Sequence, residues 1–255
     1  MIIFINRIAL IPLLCMLFGV AFADSETEKL LAEGKSLREH YQLEKALEKY
    51  ETVLKAEPKN VAALVNKSFL LSKMGETLED GKNDEKKKKF ERAKNYAQKA
   101  MKLDRKSAEA HYTYAIALGL LTELESNFLV KAKNGKKIRK LGQKVVKLDE
   151  EHAGGHYMLG KWNQEMASLP WHKRATASLL IGQASLKNSE KHLKKATELE
   201  PENILYHYDL AVTYNALGKK DEAKAALKEA LALKGKCPDD KDRLKRCKNL
   251  LAGLD

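Results

Sequence analysis

The stretch from Ile204 to Gly235 constrains the chain more than any other. It sets His207, Leu210, Ala211 and Tyr214 in one group and Ala223, Leu227 and Ala230 in a second. Spacings of three and four residues put each group on one face of an α-helix. Between them, Leu217-Gly218-Lys219-Lys220-Asp221 reads as a tight turn. Gly218 can take the left-handed conformation that ends a helix, and Asp221 is placed to cap the helix that follows. Ala211, Ala223 and Ala230 let two helix axes come close, and the larger residues fill the space beside them. The segment is therefore a hairpin of two amphipathic helices.

The same slots recur upstream. From Thr27 to Asn60 they hold Gly34 and Leu37, then Ala46, Tyr50 and Pro58. Pro58 stops the second helix, because proline pushes the residue before it out of the helical region. From Val61, Leu64 and Leu71 lead to Ala93, Ala97 and Ala100 across extra length holding a turn and the run Lys86 to Lys89. From Ala108, His111, Tyr114, Ala115 and Leu118 lead to Ile138 and Val145 across an Asn134-Gly135 turn. From His156, Leu159 and Gly160 lead to Ser189, Leu193, Ala196 and Pro201. That last insertion is the longest, and Pro170 breaks or kinks a helix inside it. The spacing fits the tetratricopeptide pattern W-x2-L-G-x2-Y…A-x3-F, whose period is about 34 residues. No stretch alternates as a strand does. The expected fold is all-α: a tetratricopeptide-repeat-like helical solenoid with long inserted helices. It has about five helix pairs over 24–238 and a capping helix over 239–255 with a polar outer face.

The first segment stands apart. Arg7 is followed by an apolar run, Ala21-Phe22-Ala23 fits a small-x-small cleavage site, and Asp24 opens a polar chain. The run is about 15 residues, short of the ~20 that span a bilayer. Residues 1–23 therefore read as a cleaved signal peptide. The expected location is outside the cytosol, periplasmic or associated with the cell envelope. Cys15 follows Leu14 rather than a small residue, which argues against lipid attachment there. Cys237 and Cys247 are ten residues apart. On a helix beginning near Pro238 their Cα atoms lie roughly 15 Å apart, beyond the ~7 Å a disulfide spans.

Catalysis is not expected. The chain shows no nucleophile–base pair and no Gly-rich phosphate loop. His152 and His156 have the spacing of a metal pair, but Gly154-Gly155 lies between them and the glutamate of H-E-x-x-H is missing. No metal or cofactor is expected. His111, His156 and His207 recur at one repeat position, which points to packing, since a metal or catalytic centre needs convergence rather than one copy per repeat.

Three first helices share a dipeptide: His111-Tyr112, His156-Tyr157 and His207-Tyr208. The fourth repeat adds Leu159-Gly160-x-Trp162 and Leu169-Pro170-Trp171-x-x-Arg174-x-x-Ala177-x-x-Leu180. From Ala108 to Leu233 the chain resembles the regulator of microtubule dynamics family, as a bacterial exported member. The resemblance implies a helical-repeat domain with elongated helices. Animal members of the family associate with microtubules, and one is an outer-mitochondrial tether whose repeat domain binds and transfers phospholipid. The leader separates this chain from cytosolic tubulin, and the tether's two phenylalanines in an acidic tract are missing here.

The inner groove of such a solenoid is lined by particular first-helix positions. Here they give Leu31, Val65, Phe69, Tyr112, Ile116, Tyr157, Tyr208 and Val212. This apolar, aromatic groove can accept a peptide helix or a lipid chain; alternatively the inserted helices fold into it and these residues are core. Trp162 and Trp171 flank the proline break and either lock the inserted helix in place or stand at a cavity mouth. There Arg174 could meet a phosphate or carboxylate bidentately. From Lys131 to Lys147 there are eight basic residues and no acid; Lys133, Lys136, Lys137, Arg139, Lys140 and Lys144 form the candidate basic face. With a net charge of +12, an acidic protein or an anionic membrane surface is the expected partner for that face. Nucleic acid is not, because no reader motif appears. The expected function is protein-segment binding through the concave face, with lipid or apolar-ligand binding and transfer as the second reading. Microtubule regulation follows only if the family's role carries over.

Overall fold

The computed structural model describes residues 11–254, with side chains from 25 to 254 apart from 176, 177 and 179–181. The expected leader begins outside the described residues, and none of its side chains is described. Twelve helices are described, and no strand. Ten form five antiparallel pairs: α1 (Ile11–Glu39) with α2 (Leu43–Ala56), α3 (Val61–Glu76) with α4 (Asn83–Leu103), α5 (Ala108–Glu123) with α6 (Phe128–Leu148), α7 (Ala153–Ala167) with α9 (Leu186–Leu199), and α10 (Ile204–Ala216) with α11 (Lys220–Ala232). The inserted helix α8 (Trp171–Ile181) lies against α6, and α12 (Asp240–Ala252) covers α10 and α11. Among the described residues no helix is long and apolar enough to cross a membrane.

Side chains cap several of these helices. Asn60 accepts from the Ala63 N–H at 3.0 Å, Ser107 from Ala110 at 3.1 Å and Ser185 from Asn188 at 3.1 Å. Each satisfies a donor that the helix itself leaves open. Gly218 has φ +76° and ends α10. Asp221, expected as a cap, is not one. Lys219 holds the cap position without a side-chain bond, and Asp221 sits in the first turn of α11, where its charge faces the positive end of the helix.

The extra length expected of inserted helices goes into the second helices of two pairs, while the inserted α8 has 11 residues. Both α4 and α6 run 21 residues, against 13 in α11. The Asn134-Gly135 turn expected between α5 and α6 is absent, and both residues lie inside α6. The helix starts earlier because the Asn127 side chain accepts from Leu129 N–H at 2.9 Å and Val130 N–H at 3.3 Å. Burial of Ala132, Leu141 and Val145 then outweighs the roughly 1 kcal/mol that a mid-helix glycine costs.

The core is a strip between helices rather than one centre. Ala46, Ala93, Ala97, Ala211, Ala223 and Ala230 are wholly buried, with Tyr50, Leu193 and Leu227 filling the gaps. Cys237 and Cys247 are free thiols.

Candidate functional site

The first helices of the pairs, α1, α3, α5, α7 and α10, face one concave channel of about 670 Å³. Leu31, Lys35 and Arg38 line it from α1, Val65 from α3, Tyr112 from α5 and Tyr206 from α10. The inserted α8 packs outside, on α6, so it leaves the channel to the first helices.

A chain of rings crosses the channel wall. The His152 ring meets the Tyr112 ring edge-on at 4.7 Å, and Tyr157 stacks on Tyr206 at 4.6 Å. Tyr206 lines the channel beside Tyr112. His152 Nδ1 accepts from the Gly155 N–H at 3.0 Å, so its Nε2 donates to Glu109 at 2.9 Å. Tyr112 lies directly over Gly154, where any side chain would collide with the ring. Burial pushes the phenols of Tyr112, Tyr157 and Tyr206 up. Glu109 and Glu200 add to this at Tyr112, Asp209 at Tyr157, and Tyr112 with Glu200 at Tyr206. All three phenols are therefore neutral, and Tyr157 donates its proton to Asp209. Burial lowers the His152 pKa, but Glu109 outweighs it and the net direction is up.

Asp209 anchors this wall from α10. It is 1% exposed, and both carboxylate oxygens are used. Tyr157 donates to Oδ2 at 2.8 Å and Lys161 donates to Oδ1 at 2.9 Å. Gln164 Nε2 donates to the Asp209 carbonyl and to Thr213 Oγ1, each at 2.8 Å. Ser189 bonds Thr213 at 3.0 Å and donates to the Gly160 carbonyl at 2.9 Å. This network joins α7, α9 and α10 and was missed in the sequence. Its signal was the single carboxylate of the helix Ile204–Ala216.

Beside the channel, α5, α6, α7 and α8 enclose a cavity of about 510 Å³. Ile116, Phe128, Ile138, Met158, Met166 and Leu169 give it apolar walls. Lys131, Lys161, Lys173, Glu123 and Glu165 supply its polar groups. Burial raises the pKa of Glu123, and nearby Glu165 raises it further. Burial also raises Glu165, against the pull of Lys161. Trp162 is buried at this wall under the Arg139 guanidinium, 4.8 Å from the ring centroid. Tyr112 lines both spaces.

The structure brings Tyr112, Ile116, Tyr157 and Trp162 together around the cavity. Phe69 sits apart under Arg38, 5.2 Å from the ring centroid. Tyr208 is covered by Arg246 of α12 at 4.4 Å, and Val212 is half-buried on α10. Trp171 is 76% exposed and lines neither space. Exposed Arg174 donates to the Ala167 carbonyl at 2.9 Å, satisfying the open end of α7. Within the basic run, Lys137 donates to the Tyr114 hydroxyl at 2.5 Å, and Arg139 is held by Trp162. Lys133, Lys136, Lys140 and Lys144 are exposed. His156 and His207 each donate from Nε2 to a carbonyl six residues earlier, at 3.0 and 2.8 Å, and His111 Nδ1 donates to the Ser107 carbonyl at 2.8 Å. All three are buried. Among the described residues no group of three or more His, Cys, Asp or Glu could hold a metal ion.

The family model "Regulator of microtubule dynamics protein 1-3" matches residues 30–255. The chain belongs to this family. It is 26% identical to the mouse Regulator of microtubule dynamics protein 1 over 243 residues, 92% of this chain and 77% of the mouse protein. It is 28% identical to the bovine Regulator of microtubule dynamics protein 3 over 58% of this chain and 32% of that relative. The fold resembles a thermophilic tetratricopeptide-repeat protein of Thermus thermophilus, with TM-score 0.62 and 18% identity over 89% of this chain and 99% of that one. It also resembles Pseudomonas aeruginosa pilF, with TM-score 0.56 and 13% identity over 91% and 93%. The all-α helical-repeat solenoid is thus shared with both.

Proposed function

We propose that this member of the family is a non-catalytic scaffold that takes up a segment of another protein along its concave channel. One observation carries the reading: the first helices line a single channel with opposed charge. Lys35 and Arg38 stand on α1, while Glu109 stands on α5 and Glu151 and Glu200 on the connections before α7 and α10. Such walls orient a bound segment, and a half-buried aromatic side chain such as Tyr112 is a usual anchor of an interface. A photo-crosslinking residue placed at Ala32 or Ala62, both exposed in the channel, should capture a partner that the same residue at exposed Lys228 does not. Arg38→Glu should abolish the capture. Equal capture at all three positions counts against the channel.

A second reading is favoured by the apolar cavity. Its volume suits an acyl chain or a comparable apolar ligand, and its lysines suit an anionic headgroup. The exposed lysines of α6 suit an acidic protein or an anionic membrane. Native mass spectrometry of gently purified protein tests the cavity reading: a bound mass lost in Ile116→Asp supports it, and a bare mass opposes it.

The names of the relatives speak of microtubule dynamics. The leader read over 1–23 favours a different setting, and we place the chain in the cell envelope, away from tubulin. N-terminal sequencing of the fractionated protein should begin at Asp24; a start at Met1 in a cytosolic fraction would return the microtubule reading to first place.

A further inference from the structure

Five large apolar side chains stand exposed among the described residues, and four of them belong to two first turns. Phe128, Leu129 and Val130, 39%, 66% and 37% exposed, open α6, and Trp171 opens α8. The two helices lie against each other. Their first turns flank one cavity mouth, lined by Phe128 and Lys131 from α6 and by Leu169 and Lys173 around the start of α8. A cluster of this kind marks an interaction surface, because scattered exposure is ordinary and clustering is not.

Glu123, Glu125 and Glu165 lie at the edge of this tip, and beyond them the two segments carry charge of one sign. No acidic residue occurs from 126 to 148 or from 166 to 189. Lys133, Lys136, Lys140, Lys144 and Lys147 follow at spacings of three and four, so they share one face of α6, and all are exposed. The stripe begins one turn after Leu129 and runs about 20 Å at 1.5 Å per residue. An apolar protein groove would satisfy the tip alone, and an acidic protein the stripe alone. An anionic bilayer satisfies both. Tryptophan and large apolar residues settle at its headgroup boundary, and its surface potential attracts lysine.

We propose that the first turns of α6 and α8 dock this protein on an anionic lipid bilayer. Leu129 and Trp171 enter the headgroup–acyl boundary, and the lysine face of α6 lies over the acidic headgroups. The cavity mouth then opens at the membrane. The inference stands on exposure and charge, and it holds whatever the channel or the cavity binds.

The chain has two tryptophans, Trp162 buried and Trp171 exposed, so a change in emission on docking reports the tip. The full chain mixed with vesicles of 70% phosphatidylcholine and 30% phosphatidylserine should show a blue shift and quenching by brominated acyl chains. Pure phosphatidylcholine should give neither. Trp171→Phe should still sediment with the anionic vesicles while losing the shift. Leu129→Asp with Trp171→Asp should weaken sedimentation by about tenfold or more. Lys133→Glu, Lys136→Glu and Lys140→Glu together should weaken it on the order of a hundredfold. These side chains are exposed, so helical circular dichroism should not change. Any binding by the apolar leader appears equally on pure phosphatidylcholine, so each variant's binding is read as the excess on anionic vesicles over that baseline. Anionic vesicles that leave the emission unmoved, or binding that survives both sets of substitutions, overturn the proposal.

Discussion

Lys73 on α3 reaches Asp239, just before α12, with Nζ 3.7 Å from Oδ2. The second repeat thus touches the C-terminal cap, and the solenoid curls back on itself around its channel. Burial pulls the Lys73 pKa down, but Glu76, Tyr41 and Asp239 outweigh it and hold the ammonium charged. Lys73→Met keeps the apolar stem and removes the charge. We predict a stability loss of less than about 1 kcal/mol, as for other partly exposed pairs. We also predict faster amide exchange over 236–240 and a larger radius of gyration in solution scattering. Unchanged exchange and radius would show that the curl is held by packing alone.

The Asp209 network predicts a larger effect. Asp209→Ala leaves the Tyr157 hydroxyl and the Lys161 ammonium without their shared acceptor. The loss should be about 2–3 kcal/mol, the range for a hydrogen-bonded charged group in a buried site. Urea unfolding measures it. Tyr157→Phe should cost less, about 1 kcal/mol, since Lys161 still holds the carboxylate. Equal losses would place the weight on the Tyr157 bond instead.

What was legible in the sequence was what repeats locally. Leu210, Ala211, Ala223 and Leu227 announce a helix pair because each slot's partner lies within one hairpin. The Asp209 network was not legible, since its partners lie 52 and 48 residues away on another pair. Asn134-Gly135 looked like a turn because those residues favour one in isolation, whereas the cap that governs the helix is Asn127. Tyr208 occupied a groove slot by period, yet Arg246 from the final helix covers it. Trp171 stood out in its motif, and no spacing rule could say that it points to solvent. The apolar triplet Phe128-Leu129-Val130 stands beside the basic run in the sequence, but only the fold shows that all three side chains are exposed.

Two glycines give a matched test of packing. Gly119 on α5 has open space where a Cβ would go. Gly119→Ala should therefore stabilise by about 0.5–1 kcal/mol through helix propensity. Gly154 on α7 has the Tyr112 ring at that position. Gly154→Ala gains less propensity, as the second residue of α7, and drives the ring off its seat; overpacking of this kind costs about 1–3 kcal/mol. The net sign should be destabilising. Thermal unfolding of the two variants side by side checks the contrast, and two stabilised proteins would mean that Tyr112 swings away freely.

Acid should weaken the fourth repeat through His192. Burial, then His156 and Lys191, lower its pKa to about 4, against about 6.5 for an exposed histidine. His156 Nε2 donates to the Glu150 carbonyl, so its Nδ1 accepts from His192 Nδ1 at 3.1 Å. Between these values the unfolded chain binds a proton that the folded chain refuses. Stability therefore falls as pH drops from about 6.5 towards about 4, and this group adds no further loss below that. His152 works in the opposite sense. Its raised folded pKa contributes stability that is complete below about 6.5 and is lost as pH rises through the folded value. A pH series on the wild type alone mixes the two, so the comparison must be with His192→Gln, which keeps an amide donor and cannot titrate. The urea midpoint of the wild type should fall more steeply than that of His192→Gln between pH 6.5 and pH 4, and the two curves should run parallel above pH 7. Parallel curves across the whole range would show that His192 takes its proton as readily in the folded chain as in the unfolded one.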